Sequence, residues 1–136
     1  MTAAPSWVTV SAEVVIALHD DLLSTAEIPG LARDKSLEGA LARVDHRIAY
    51  GLIEDAFALA AAYAAAISQG HCFNDGNKRT AFQVMDVILT AHGLELEWDT
   101  EEAGQRMIEL AQSRMDESSF AHWLRAHAGR CSRSTW

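Results

Sequence analysis

The sequence predicts an all-α protein, built as one compact bundle of about six helices. Apolar residues recur at helical spacing along most of the chain. About two dozen alanines favour helix, because alanine loses no side-chain entropy when a helix forms. At 136 residues and 49% hydrophobic composition, the chain can build one core and is too short for two ordinary domains. We therefore expect a single domain over residues 1–136, with its core at about 8–128.

Serine caps open the first two predicted helices. Ser11 begins a helix that runs to about Leu23. Its predicted buried positions are Val14, Val15, Leu18 and Leu22. Its predicted exposed acidic positions are Glu13, Asp20 and Asp21. The Ile-Pro-Gly break at residues 28–30 follows. Ser36 begins the second helix, whose core positions are Leu37, Ala40, Leu41 and Val44.

The third helix is predicted from about Leu52 to Ser68 and is apolar nearly all round, which is typical of a central helix. Gly70 ends it. A fourth helix begins near residues 76–77 and runs to His92, where Gly93 provides the carboxy-terminal stop.

The last part of the chain is predicted to hold one extended link and two helices. The link is indicated by Leu94, Leu96 and Trp98, which alternate with glutamates as in a short strand. One helix is capped at residues 99–100 and runs to about 115, and another opens at 116–119 and runs through 128. The tail, residues 129–136, has no core pattern and is predicted to be loose.

Charge and composition exclude several function classes. A net charge of −8 and a pI near 5.1 argue against a surface that binds nucleic acid through its phosphates. Cys72 and Cys131 match neither a metal-ligand spacing nor a disulfide framework, which indicates a reducing, cytoplasmic setting. The first ten residues lack the pattern of a signal peptide, and the apolar run at 56–67 is too short to cross a bilayer.

The chemistry is concentrated in the stretch GHCFNDGNKRT, residues 70–80, which lies between the third and fourth predicted helices. The first amides of a helix have no intrahelical partners and carry partial positive charge. Together with two cations they predict a phosphate cradle, formed by Gly76, Asn77, Lys78 and Arg79. The spacing of the glycines and the preceding helix exclude a P-loop.

Three further residues of this stretch complete the prediction. Asp75 stands beside the cradle and is the candidate Mg²⁺ ligand, because Mg²⁺ in proteins is commonly held by one or two carboxylates and substrate phosphates. His71 is the candidate base for an attacking hydroxyl. Phe73 would anchor the loop in the core, and Cys72, adjacent to His71 in an extended loop, would point the other way. These residues together indicate phosphoryl or nucleotidyl transfer.

The segment HCFNDGNKRTAF resembles the signature of the Fic/Doc superfamily, His-x-Phe-x-Asp/Glu-Gly-Asn-Gly/Lys-Arg, and is most similar to that of the Doc (death on curing) toxins. The segments IALHDDL and IPGLARDKSLEGALARV, at 16–22 and 28–44, are also similar to Doc segments in the same order. The resemblance spans about residues 8–128. It implies a base at His71, a Mg²⁺ ligand at Asp75 and phosphate binding by Asn74, Gly76, Asn77, Lys78 and Arg79.

The resemblance also implies which group is transferred, and this depends on Lys78. Fic proteins with glycine at this position mostly transfer AMP, whereas Doc proteins with lysine transfer the γ-phosphate of ATP to a protein. The implied target is a threonine of elongation factor Tu, and the implied restraint is a Phd-like antitoxin. AMP transfer stays open as an alternative, although Phe82 stands where longer Fic signatures have a second arginine. A silent binding module of the same fold is the third reading.

The segment 33–50 resembles the family's flap, beside which a target chain would dock. Its Arg43 and Arg47 are either target contacts or exposed helix cations. Histidines 19, 46, 92, 122 and 127 show no ligand spacing, so we expect them on the surface or at helix ends.

Overall fold

A computed structural model describes residues 7–95 and 99–127, and within these ranges the chain forms six α-helices and no sheet. Their bounds are α1 Ala12–Leu22, α2 Leu37–Ala49, α3 Ala56–Gly70, α4 Asn77–Ala91, α5 Thr100–Ala111 and α6 Glu117–Ala126. The prediction of an all-α bundle of about six helices is confirmed. No helix in these ranges is long and apolar enough to cross a membrane.

Helix α3 lies at the centre of the bundle, as its uniform hydrophobicity predicted. It packs against α2, α4, α5 and α6, while α1 packs against α4 and α2. Every residue from Leu59 to Ala65 is buried. Five of these seven residues are alanines, whose small side chains let neighbouring helices approach closely on all sides.

Two helix bounds differ from the prediction. Helix α3 begins four residues later than expected, because Asp55 caps it by accepting a hydrogen bond of 2.8 Å from the Ala58 N–H. Helix α5 ends at Ala111 instead of residue 115. There the backbone leaves the helix at Gln112, and Ser113 takes a left-handed conformation at φ 60°.

Helix α1 buries a different face from the one its apolar residues indicated. Val14 was predicted to lie in the core, but 44% of its surface is exposed. Val15 is buried as predicted, and His19, which was not predicted to be, is buried with it. Residues four apart share one face of a helix, and this is the face that α1 turns toward the core. The core positions predicted for α2 are all buried.

Extended structure in the described ranges is limited to an isolated antiparallel bridge between Leu31 and Phe73. The predicted link at residues 94–98 shows no strand at Leu94 and Glu95, and its remaining residues, 96–98, lie outside the described ranges. The predicted end of the last helix at 128 and the loose tail at 129–136 also lie outside them.

Candidate active site

The motif loop, residues 71–76, connects the end of α3 to the start of α4. His71 caps α3 in a left-handed conformation, with φ 50° and ψ 43°, and it is exposed. Gly76 precedes α4 and is also left-handed, at φ 80°. Two left-handed residues therefore set the direction of the chain at either end of the loop, and the sequence analysis predicted neither conformation.

The amino end of α4 has no side-chain cap, which distinguishes it from the five other helices. Its first amides are therefore not satisfied by a neighbouring side chain. Lys78, in the first turn, is exposed and makes no hydrogen bond or ion pair with any residue of 7–95 or 99–127. This end of the helix combines partial positive charge with a free cation, which is suited to binding an anion.

Asn77 holds the motif loop in shape. Its side-chain oxygen accepts a hydrogen bond of 3.0 Å from the Phe73 N–H, and its side-chain nitrogen donates one of 2.8 Å to the Phe73 carbonyl. Phe73 is 2% exposed, as expected of an apolar anchor. The Asn77 side chain is thus occupied by hydrogen bonds to Phe73. Only the backbone N–H of Asn77 is left for the predicted phosphate cradle.

The segment 28–32 is hydrogen-bonded along the motif loop. The Asn74 N–H donates to the Gly30 carbonyl at 3.1 Å, and the Ala32 N–H donates to the Cys72 carbonyl at 2.7 Å. The Asn74 side chain donates to the Pro29 carbonyl at 3.0 Å. Asn74 was predicted to bind phosphate, and in this structure its side-chain donor is engaged by that segment.

Asp75 is half-buried beside the amino end of α4. Its Oδ2 accepts a hydrogen bond of 2.9 Å from the Ile28 N–H. Its Oδ1 makes no hydrogen bond with a described residue. One carboxylate oxygen therefore stays available for a cation, in the donor chemistry that Mg²⁺ prefers.

The described residues contain no group of three or more His, Cys, Asp or Glu side chains that could hold a metal ion. An ion at Asp75 would complete its coordination with water and substrate oxygens, which is the usual arrangement for Mg²⁺ bound with phosphates. The Asp75 carboxylate fits such an ion, and the uncapped end of α4 fits the phosphate oxygens that would share it.

Arg79 forms an ion pair with Glu27, from the segment between α1 and the break at residues 28–30. Its guanidinium also donates to the Leu22 carbonyl at 3.3 Å. The hydrogen bond from Arg79 lowers the pKa of Glu27 to about 2. This pair could not be predicted from the sequence, because the two residues lie 52 positions apart in the chain.

Cys72 is not suited to act as a nucleophile. Its side chain is 2% exposed, whereas the neighbouring His71 is exposed, so the two residues occupy opposite sides of the loop as expected. Burial raises the pKa of the Cys72 thiol, which opposes formation of a thiolate.

His19 lies at a helix end, which was one of the two places predicted for it, but it is not on the surface. His19 stands in the last turn of α1 but is 1% exposed and contacts the motif loop. Its Nε2 lies 2.7 Å from the Asp75 carbonyl oxygen, and its ring stacks on Phe73. A sequence signal existed, because His19 follows the core residue Val15 by four positions.

The other histidines follow the prediction. His92 and His127 cap the carboxy-terminal ends of α4 and α6, and His46 and His122 are exposed.

Arg43 and Arg47 line a cleft of about 360 Å³ between α2 and α3, whose wall is completed by α6. Arg47 is paired with Glu117 through two hydrogen bonds, of 2.9 and 2.5 Å. These bonds raise the pKa of Arg47. Arg43 is exposed. Arg47 thus has a structural partner, whereas Arg43 fits the description of an exposed helix cation.

Comparison with known proteins places this chain in a family. Residues 9–89, which include α1 to α3, the motif loop and most of α4, match the model of the Fic/DOC family. The chain belongs to the Fic/Doc family. It is also 36% identical over 117 residues to the protein named "Protein kinase doc" of Escherichia phage P1. The aligned region covers 85% of this chain and 92% of that protein. The resemblance seen in the motif and its flanking segments is thereby confirmed as Fic/Doc membership.

Proposed function

We propose that this Fic/Doc protein is a protein kinase that transfers the γ-phosphate of ATP to a Ser or Thr hydroxyl of another protein. The observation that carries the proposal is the motif loop itself. It leaves the His71 ring, one Asp75 oxygen and the Lys78 ammonium available around the uncapped amino end of α4. The 36% identity to a protein named as a kinase supports the same activity.

His71 is the proposed base. It is exposed, so the hydroxyl of a folded target can reach its ring, and an imidazole accepts a proton readily near neutral pH. In the transfer, a bond forms between the target oxygen and the γ-phosphorus while the bond to the bridging β–γ oxygen breaks. ADP leaves, and His71 takes the hydroxyl proton.

The phosphates are proposed to bind at the amino end of α4. The backbone N–H groups of Asn77 and Lys78 and the helix dipole would stabilise the negative charge that develops during transfer. Asp75 would hold a Mg²⁺ ion that neutralises phosphate charge. Arg79 would pair with phosphate oxygens after exchanging its contact with Glu27.

Lys78 is proposed to set which phosphate is transferred. Its side chain fills space that a glycine at this position would leave open to the terminal phosphates of the nucleotide. A different phosphate is then held against Asp75 and His71, namely the γ-phosphate.

The proposed cellular role is that of a toxin in a toxin–antitoxin module. Its target would be a translation factor, elongation factor Tu by resemblance to Doc, and its activity would be restrained by a Phd-like antitoxin in the cytoplasm. Arrest of growth on expression, and its absence with a His71 variant, would support this role.

Incubation with purified elongation factor Tu and ATP labelled at the α or the γ phosphate tests the reaction. We expect label from γ only. His71→Asn is the inactive variant of choice, because Asn tolerates the left-handed backbone at this position and cannot act as the base. Lys78→Ala should lose most of the γ transfer, whereas Arg114→Ala, an exposed cation at the α5–α6 turn, should leave it unchanged. Label from α would replace the kinase with an AMP transferase, and equal behaviour of wild type and His71→Asn would indicate a silent module.

A further inference from the structure

His19 is a buried polar residue that the proposed reaction does not use. It extends from the last turn of α1, a helix that packs against α4, and it is 1% exposed. A side chain so buried cannot reach a substrate. Whatever it contributes to the site, it contributes through the residues it contacts.

His19 lies against three residues of the motif loop, Phe73, Asp75 and Gly76. Its ring stacks on the Phe73 ring with centroids 3.8 Å apart and planes 9° from parallel. Its Nε2 lies 2.7 Å from the Asp75 carbonyl oxygen. Its Cδ2 and Nε2 lie so close to Gly76 that a Cβ added there would be 3.5 Å from each.

The bond to Asp75 has a fixed direction. A carbonyl oxygen can only accept a hydrogen bond, so Nε2 must donate its N–H. The other ring nitrogen, Nδ1, lies 3.3 Å from the Asp20 carboxylate. Such a bond inside the protein, away from water, is costly to lose because it leaves the carbonyl oxygen without a partner.

We infer that His19 is a positioning residue of the active site, which fixes the backbone of the motif loop between Phe73 and Gly76. The carbonyl it holds belongs to the residue that carries the proposed Mg²⁺ ligand, and the next residue is the cap of α4. His19 therefore sets the angle at which the Asp75 carboxylate and the first amides of α4 meet the phosphates. The substrate part of this inference rests on the function proposed above.

Two variants separate the hydrogen bond from packing. His19→Phe keeps a ring to stack on Phe73 and removes the donor. His19→Gln places a donor near the Nε2 position and removes the ring. His92→Gln is the control. His92 likewise makes a hydrogen bond to the backbone through Nε2, here as the acceptor from the Val8 N–H at 3.1 Å, and its ring contacts Trp7, but it lies at the opposite end of α4.

Amide hydrogen exchange of the nucleotide-free protein is the first measurement. Three N–H groups hold the motif loop: Ile28 donates to the Asp75 carboxylate, Phe73 to the Asn77 side chain and Asn74 to the Gly30 carbonyl. We expect them to exchange about tenfold faster in His19→Phe, while central α3 amides keep their protection, and we expect His19→Gln to retain most of the loop protection.

Binding of ADP with and without Mg²⁺, measured by calorimetry, is the second. We expect His19→Phe to bind ADP about tenfold more weakly in the presence of Mg²⁺, and we expect His19→Gln and His92→Gln to bind it as tightly as wild type does. Unchanged loop exchange in a folded His19→Phe would overturn the positioning role. If His19→Phe does not fold, His19→Gln is compared with wild type heated until the same fraction of molecules is unfolded. Equal loss of loop protection in these two samples would overturn the positioning role. Failure of wild type to bind nucleotide would instead reject the proposed function and leave the exchange result to decide the role of His19.

Discussion

Single residues of the motif loop and of the first turn of α4 fall into two groups, those whose side chains are available for chemistry and those that hold the loop in place. His71 and Lys78 are exposed and make no side-chain hydrogen bond to a described residue. Phe73 and Asn77 are used to fasten the loop, through burial and through paired hydrogen bonds. A polar motif of this kind therefore combines reactive and structural residues, and sequence alone could not assign Asn77 to the structural group.

Glu27 and Arg79 offer a prediction at this scale. Phosphate must exchange with the Glu27 carboxylate to reach Arg79, so Glu27→Gln should lower the KM for ATP several-fold with little change in kcat. The pKa of Glu27 is lowered to about 2 by its bond from Arg79, so the carboxylate stays ionised at any higher pH. The ratio of wild-type to variant KM should therefore stay constant from about pH 5 to about pH 9. Steady-state kinetics measure it.

Glu13→Gln, an exposed acidic residue on α1, is the control for the change in net charge. A higher KM for ATP in Glu27→Gln would mean that Glu27 orients Arg79 for phosphate instead of competing with it.

At the scale of elements, all the described helices except α4 begin where a short polar side chain accepts a backbone N–H. Ser11, Ser36, Asp99 and Asp116 each cap a helix, as the sequence indicated. The cap of α3 was missed, because the apolar Leu52 and Ile53 continue the helical pattern ahead of Asp55. Ile53 is buried without being helical, and periodicity cannot distinguish these two situations.

Asp55 both caps α3 and joins it to α6. Its carboxylate accepts hydrogen bonds from Arg125 at 2.7 and 3.2 Å, in addition to the Ala58 N–H. Partial burial alone would raise the pKa of Asp55, but the hydrogen bonds from Arg125 and Ala58 outweigh it and the pKa is lowered. The carboxylate therefore stabilises the fold above the unfolded-state pKa, and this contribution is lost as the pH falls through the lower folded-state value.

Asp55→Asn should keep the cap and lose the ion pair, at a cost of about 0.5 kcal/mol at neutral pH. Asp55→Ala should cost about 1 kcal/mol more, because the cap is lost as well. Urea denaturation at neutral pH and below about pH 4 measures both variants. The difference between wild type and Asp55→Asn should shrink at the lower pH, and an unchanged difference would show that the charge of Asp55 does not contribute.

On the scale of the whole molecule, the fold depends on one helix that touches four others. The buried alanines of α3 leave little space between it and its neighbours. Ala61 is fully buried, so Ala61→Leu should cost about 1–3 kcal/mol through overpacking. Ala17→Leu, on the exposed face of α1, should be near neutral. Urea midpoints measure both, and similar values for the two variants would contradict close packing around α3.

The sequence predicted what depends on local pattern and missed what depends on contacts between distant segments. The six helices, the central position of α3 and the polar loop before α4 follow from periodicity and from caps a few residues away. The contacts of His19 with Phe73 and of Glu27 with Arg79 join α1 and its following segment to the motif loop. Such pairs are decided by how the helices pack, and a single sequence carries no direct sign of them.

The left-handed backbone of His71 has a consequence for how stability and activity are balanced in this molecule. A residue other than glycine costs about 1 kcal/mol in this conformation. His71→Gly should therefore raise the free energy of unfolding while abolishing transfer. Ser113, at φ 60° after α5, supplies the comparison, since Ser113→Gly should stabilise the protein and leave transfer intact. Thermal unfolding measures the stability of both variants, and the labelling assay measures their transfer activity. A destabilised His71→Gly would show that the histidine ring stabilises the loop. A stabilised His71→Gly would mean that evolution has accepted a less stable protein to keep a reactive side chain at the end of its central helix.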